Sequence, residues 1–197
     1  MKFTQIPTDT FQKLQINAGM MASAFNPATG ALNTSDILGA TTGGLSVTAV
    51  PTFKDMGEDI DNCPKNTKEL KRIEQYEIKC TGTLVTTSPA VVNRLLAGSS
   101  VSSDHITLSH TLDLTASTGD FLDLWIIGDY SDKNGATNGG FVACHIINAL
   151  STGGFSLVTT DGEKGKFAFE FTGHYSSSAP DTVPFEIYVH AGTAEPT

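Results

Sequence analysis

Little in this chain is reactive. Three cysteines in 197 residues, Cys63, Cys80 and Cys144, form no C-x-x-C pair, and their odd number argues against a disulfide framework or a zinc knuckle. Free thiols in a reducing cytoplasm are the expectation. No G-x-S-x-G, G-x-x-x-x-G-K or H-E-x-x-H is present, which removes the strongest signatures of hydrolases, nucleotide binders and zinc peptidases. The longest apolar run, FVACHIINAL at 141–150, falls far short of the ~20 residues that span a bilayer. The first residues, MKFTQIPTDTFQ, lack the apolar core of a secretory signal, so the sequence predicts a soluble protein made inside a cell and no membrane partner.

Positive charge is also scarce, and unevenly so. The net charge is −9, with nine Lys/Arg against nine Asp/Glu in residues 1–98 and three against twelve in residues 99–197. A protein that grips nucleic acid by its phosphates needs clustered cations, and the second half would repel them.

What is present is alternation. In GGFSLVTTDGEKGKFAFEFTGHYS, residues 153–176, Phe167, Phe169 and Phe171 face one way while Lys166, Glu170, Thr172 and His174 face the other, across a Gly-rich turn. LSVTAVPTF begins a strand at Leu45, and YEIKCTGTLVTT puts Tyr76, Ile78, Cys80 and Leu84 on one side against Glu77, Lys79, Thr81 and Thr83. Further strands are predicted in HITLSHTLDLT, FLDLWIIGDY, FVACHIINAL and VPFEIYV. SPAVVNRLLAG is a helix by its punctuation: Ser88 caps it, Pro89 takes the first position, Val91, Val92, Leu95 and Leu96 form a stripe and Gly98 ends it. PTDTFQKLQ predicts a second short helix, capped by Thr8 with Phe11 and Leu14 inward, and 25–44 reads as a loop rich in Gly, Thr, Asn and Pro. The fold class is mainly β: two packed antiparallel sheets, as a sandwich or barrel, with one flanking short helix. The whole chain reads as a single domain, with an amino-terminal arm and loop over 1–44, a β core over 45–190 and a projecting loop over 54–72.

Candidate chemical sites are weak. His105 and His110, five apart on a predicted strand, point to opposite faces and share no metal. DYSDKNGATNGG lacks the ligand spacing of a calcium loop, and Asn134-Gly135 makes it a hairpin turn. Asp120 and Asp123 are a carboxylate pair of the type a hydrolase uses, but chance accounts for them in so acidic a domain, and Trp125 between Leu124 and Ile126 reads as a core or interface residue. No catalytic, cofactor or metal residue is assigned, and the chain is not read as an enzyme.

One segment stands out. KDMGEDIDNCPKNTKELKR, 54–72, is far longer than a hairpin loop of two to five residues. Asp55, Glu58, Asp59 and Asp61 make its first part acidic; Lys65, Lys68, Lys71 and Arg72, with Glu69, make the second basic. Such a dipolar arm is suited to docking acid end to basic end on another copy, a heterologous contact that builds rings or open stacks. The inter-subunit residues predicted are Asp55, Glu58, Asp59, Asp61, Lys68, Lys71 and Arg72.

The order of these pieces resembles a known family. The stretch from GGLSVTAVPTF through the charged loop to SPAVVNRLLAG, and the stretch from DLWIIGDY through the Phe hairpin to VPFEIYV, are similar to the two halves of the tail tube, or major tail, proteins of long-tailed bacteriophages, over most of residues 43–189. That resemblance implies two packed sheets with a flanking helix, related in fold to type VI secretion tube proteins. It also implies stacked rings of six copies, located in the tail of the virion and assembled in the bacterial cytoplasm. The partners it implies are further copies of the chain and other phage tail proteins, with DNA passing the lumen unbound and no cofactor. A carbohydrate-binding β-sandwich, stacking sugars on Trp125, Tyr130 and Tyr175, is the rival reading, and a carboxylate hydrolase with acids of raised pKa a second one.

Overall fold

Alternation dictates pairing, and the computed structural model, which describes residues 6–7, 10, 13–103, 105–115, 118–130 and 140–192, shows which strands pair. In chain order the elements are β1 (Gln15–Ala22), β2 (Ile37–Gly39), β3 (Thr41–Asp55), β4 (Lys71–Leu84), α1 (Pro89–Leu95), β5 (Ser99–Val101), β6 (Ile106–Leu108), β7 (Leu122–Tyr130), β8 (Gly140–Ser151), β9 (Ser156–Val158), β10 (Lys166–Gly173) and β11 (Phe185–His190). Short turns of 3-10 helix at Thr34–Asp36 and Lys68–Leu70 join them. Among the described residues the protein is mainly β with one short α-helix, as its sequence predicts.

The two layers expected from the sequence are halves of one continuous antiparallel sheet, ordered β2-β1-β7-β8-β10-β4-β3, with β5 and β6 as a separate pair. The corner lies in β8. One edge of β8 follows β7; the other pairs with β11 from Phe141 to Ile146 and with β10 from Ala149 to Ser151. Between the two partners sits Asn148 with φ of 50°, a left-handed conformation that Asn tolerates better than most residues. Its side-chain amide donates to the His174 carbonyl at 3.2 Å, and its own carbonyl accepts from the His174 N–H, also at 3.2 Å. Bent there, the sheet encloses one core from both layers: Met21 of β1, Ile78, Cys80 and Leu84 of β4, Leu124 and Ile126 of β7, Ile146 of β8, and Phe169 and Phe171 of β10. Val91 and Leu95 of α1 close its end, with Ser88 Oγ accepting the Val91 N–H at 3.3 Å.

The Phe hairpin behaves as its alternation dictates. Phe169 and Phe171 are in the core, Phe167 packs on its margin, and the hairpin partners Phe167 with Leu157. β7 differs: Leu124 through Gly128 are all buried, because Trp125 and Ile127 face a second cluster with Ala22 and Ala143, roofed by Phe25 and Leu32. A strand buried on both faces reads as a continuous apolar run, which is what LWIIG is.

Three expectations need correction. The amino-terminal helix expected over 7–15 does not extend to its predicted end: Thr10 N–H donates to Pro7 O and Lys13 N–H to Thr10 O, but Leu14 is exposed and not inward, and Gln15 already pairs with Tyr130. Its expected cap Thr8 and inward Phe11 lie outside the described residues. The strand QINAGMMA, for which the sequence predicts no element beyond Gln15, forms by pairing along β7. Residues 25–44 are not all loop, since β2 and the start of β3 fall inside them; β3 crosses a bulge at Gly43 and Gly44, both at positive φ, before Leu45. Of HITLSHTLDLT only Ile106–Leu108 is strand, so His105 and His110 flank β6. The loop 131–139 lies outside the described residues, but Tyr130 pairs with Gly140 across its base, as in a hairpin.

Candidate assembly surface

β3 and β4 pair from Leu45–Gly82 out to Asp55–Lys71, with a bulge that leaves Glu74 without a cross-strand partner between Thr52–Gln75 and Phe53–Ile73. Their inner halves cover the core with Val47, Tyr76, Ile78 and Cys80. Beyond Tyr76 no further side chain of either strand joins that core, yet Val50–Asp55 and Lys71–Gln75 continue as a ribbon, roughly 20 Å at ~3.3 Å per residue. The projecting loop of the sequence is therefore the end of a long hairpin.

The tip is folded on itself. Asp55 accepts the N–H of Asn66 at 2.7 Å and of Gly57 at 3.0 Å, Lys71 Nζ donates to Asn66 Oδ1 at 2.9 Å, and Thr67 Oγ1 donates to the Pro64 carbonyl at 2.7 Å. Asn62 and Asn66 take the left-handed conformation, both at φ 60°. The N–H groups of Asn66 and then Gly57 hold the Asp55 carboxyl below its usual range.

Of the predicted contact residues, Glu58, Asp59, Asp61, Lys68, Lys71 and Arg72 are all exposed, and among the described residues no ion pair joins them within the chain. Asp55 stands apart, since its carboxylate is engaged by the tip itself. Lys71 and Arg72 also diverge: register places Lys71 with Asp55, Phe53 and Ile73 on one face of the ribbon and Arg72 with Lys54 on the other.

Sequence reasoning missed the apolar side chains of the arm. Phe53 and Ile73 are cross-strand partners, each 52% exposed, and Met56 and Ile60 nearby are 50% and 52% exposed. The Lys71 ammonium lies 5.4 Å from the Phe53 ring centre. The signal was present as four large apolar residues within an otherwise charged stretch.

A second gathering of polar groups lies on the outer face of β7, β8 and β11. His145 stacks on Trp125, with ring centres 4.0 Å apart, and its side chain is only 12% exposed. Its Nε2 lies 3.1 Å from an Asp123 oxygen and its Nδ1 3.2 Å from Glu186 Oε2, which also accepts from the Tyr188 hydroxyl at 2.6 Å. Burial is the largest single influence on His145 and opposes its charge, but Asp123 and Glu186 together outweigh it and raise its pKa. Asp123 is held low, first by His145; Glu186 is held low, first by Tyr188 and then by His145. With both ring nitrogens facing carboxylates, this imidazole presents no open lone pair to a metal or a substrate proton. Arg94 of α1 donates to the Asp123 carbonyl, and burial pulls its guanidinium down to about 10.

The remaining candidates are structural. Asp120 accepts the N–H groups of Gly98 at 2.9 Å and Asp113 at 2.8 Å, fastening the segment after α1, so it and Asp123 serve different partners. Trp125 is 7% exposed beneath Phe25 and His145, so it offers no face to a sugar. Among the described residues no group of three or more His, Cys, Asp or Glu is placed to hold a metal ion. No family model and no curated protein matches the chain.

Proposed function

We propose that this chain is a structural protein that assembles with copies of itself into stacked rings, and that these rings build the tail tube of a long-tailed bacteriophage, six copies to a ring by resemblance to that family. The observation that carries the reading is the arm: a paired ribbon extending past its own core with Phe53 and Ile73 exposed side by side. A monomer gains nothing from holding two large apolar side chains in water at the end of an ordered hairpin, whereas an interface gains roughly 25 cal/mol per Å² of apolar area covered. The acidic second half supports the same reading, because a wall with few cations lets DNA pass without the phosphate contacts that retard it.

Negative-stain microscopy of the purified protein over a range of concentrations tests the reading. Rings or tubes about 100 Å across are expected, a scale set by six domains each ~20–30 Å wide. Single particles at every concentration, with or without the other tail proteins, overturn it.

A further inference from the structure

His145 joins three strands. Its mostly buried ring stacks on Trp125 of β7, with Asp123 of β7 3.1 Å from Nε2 and Glu186 of β11 3.2 Å from Nδ1. Among the described residues the ionisable groups around it are Asp123 from β7, Glu186 and Tyr188 from β11, and Arg94 of α1, which donates to the Asp123 carbonyl; β1 brings Ala22 to the Trp125 side, with no charge. An imidazolium has a proton for each carboxylate, whereas a neutral imidazole has one proton for two. Loss of the charge sets a nitrogen lone pair against a carboxylate oxygen, and one of the two contacts must open.

The two carboxylates are not equally placed. Asp123 keeps the attraction of Arg94 and the Asn148 N–H, 3.4 Å from its Oδ1. Glu186 has no other cation among the described residues, and its remaining partner, the Tyr188 hydroxyl, belongs to the same strand and moves with it. β11 pairs with β8 along one edge, from Phe185–Ile146 to His190–Phe141, and among the described residues no strand pairs with its other edge. Its start is fastened separately, by the Ile147 N–H on the Pro184 carbonyl at 3.0 Å. We propose that protonated His145 is a latch for β11: when the ring loses its charge Glu186 lets go, and the strand from Glu186 to His190 opens from β8 about the fixed Pro184 while the rest of the sheet stays closed. Opening draws Tyr188 away from Trp125, their ring centres now 5.7 Å apart, and uncovers the edge of β8. Burial opposes the charge on His145 but the carboxylates outweigh it, so the latch is complete below the unfolded value of ~6.5 and opens as pH rises through the folded one.

Amide hydrogen exchange of the full chain at pH 6 and pH 9, corrected for the intrinsic rates of an unstructured chain, tests the latch. Protection across Glu186–His190 is expected to fall at least about threefold relative to β10 between the two pH values. Glu186→Gln is expected to abolish that difference, because its amide N–H donates to a neutral ring nitrogen. His190, stacked on Phe141, is still present in this variant, so a pH dependence arising there would survive the substitution. His145→Gln, which cannot titrate, is expected to show the same pH-independent protection and serves where Glu186→Gln loses the wild-type circular dichroism. Equal protection at both pH values in the parent chain, a loss shared equally by β10, or a pH-dependent loss that persists in either folded variant overturns the latch.

Discussion

Trp125 and His145 face each other across β7 and β8, their rings 6° from parallel, and the stack holds the imidazole between two carboxylates. An ionised His145 therefore stabilises the folded state more than the unfolded one. Because its folded pKa is raised, that contribution is complete below the unfolded value of ~6.5 and is lost as pH rises through the folded value. Asp123 and Glu186 act in the opposite direction: both are held low, so their contribution is present above their unfolded values and is lost in acid.

Thermal melts at several pH values should show Tm falling as pH is raised from 6 to 9, and His145→Gln should flatten that fall. An unchanged slope in the variant would show that the charged imidazole contributes nothing there.

Phe171 is 1% exposed at the centre of the core, whereas Thr172 beside it points to the opposite face. Phe171→Ala should cost about 3–5 kcal/mol, and Thr172→Ala well under half of that. Urea unfolding of the two variants gives both numbers, and equal losses would contradict the alternation of β10.

Gly98 stands at φ 65°, and a β-carbon there would lie 2.9 Å from the Ser109 carbonyl oxygen. Gly98→Ala should therefore cost more than 1 kcal/mol and loosen the β5–β6 pair before the core. Hydrogen exchange should rise first at Ser109, whose N–H donates to the Gly98 carbonyl at 2.6 Å. Uniform acceleration across the sheet would show that the strain is not local.

Asp55 organises the arm's tip. Asp55→Ala should speed exchange at the Gly57 and Asn66 amides at least tenfold while leaving Phe171 and the core strands as protected as before. Both amides keeping their wild-type rates would mean that another group orders the tip.

Reversing exposed charges tests acid-to-base docking of the arm. Glu58→Lys with Asp59→Lys should leave the monomer's stability within about half a kcal/mol of wild type. If acidic and basic tips meet, it abolishes tubes seen by microscopy, and adding Lys68→Glu with Lys71→Glu restores them; tubes of wild-type length from the acidic reversal alone would show that the tips do not meet.

Where one physical requirement acts along consecutive residues, the sequence determined the outcome alone. Phe167, Phe169 and Phe171 could serve only a strand with one buried face, and Ser88 followed by Pro89 could only open a helix, since a cap and a missing N–H are both useful there. The reach of the 54–72 segment and its separation of charge were equally legible. What depended on distant partners was not. QINAGMMA became a strand because β7 offered it an edge, and nothing in its own pattern says so. Asn148 lies inside an apolar run, and only the exchange of β11 for β10 along one edge of β8 makes it the corner that turns one sheet into two layers. His145 looks like an interruption of that run until tertiary structure stacks it on Trp125 and brings Asp123 and Glu186 to its two nitrogens. The same holds for Phe53 and Ile73: their apolarity was written in the sequence, but that they stand paired and exposed follows from the register of two strands running past the edge of the core. Local pattern fixes which face a side chain takes, and only the assembled fold decides whether anything lies against that face.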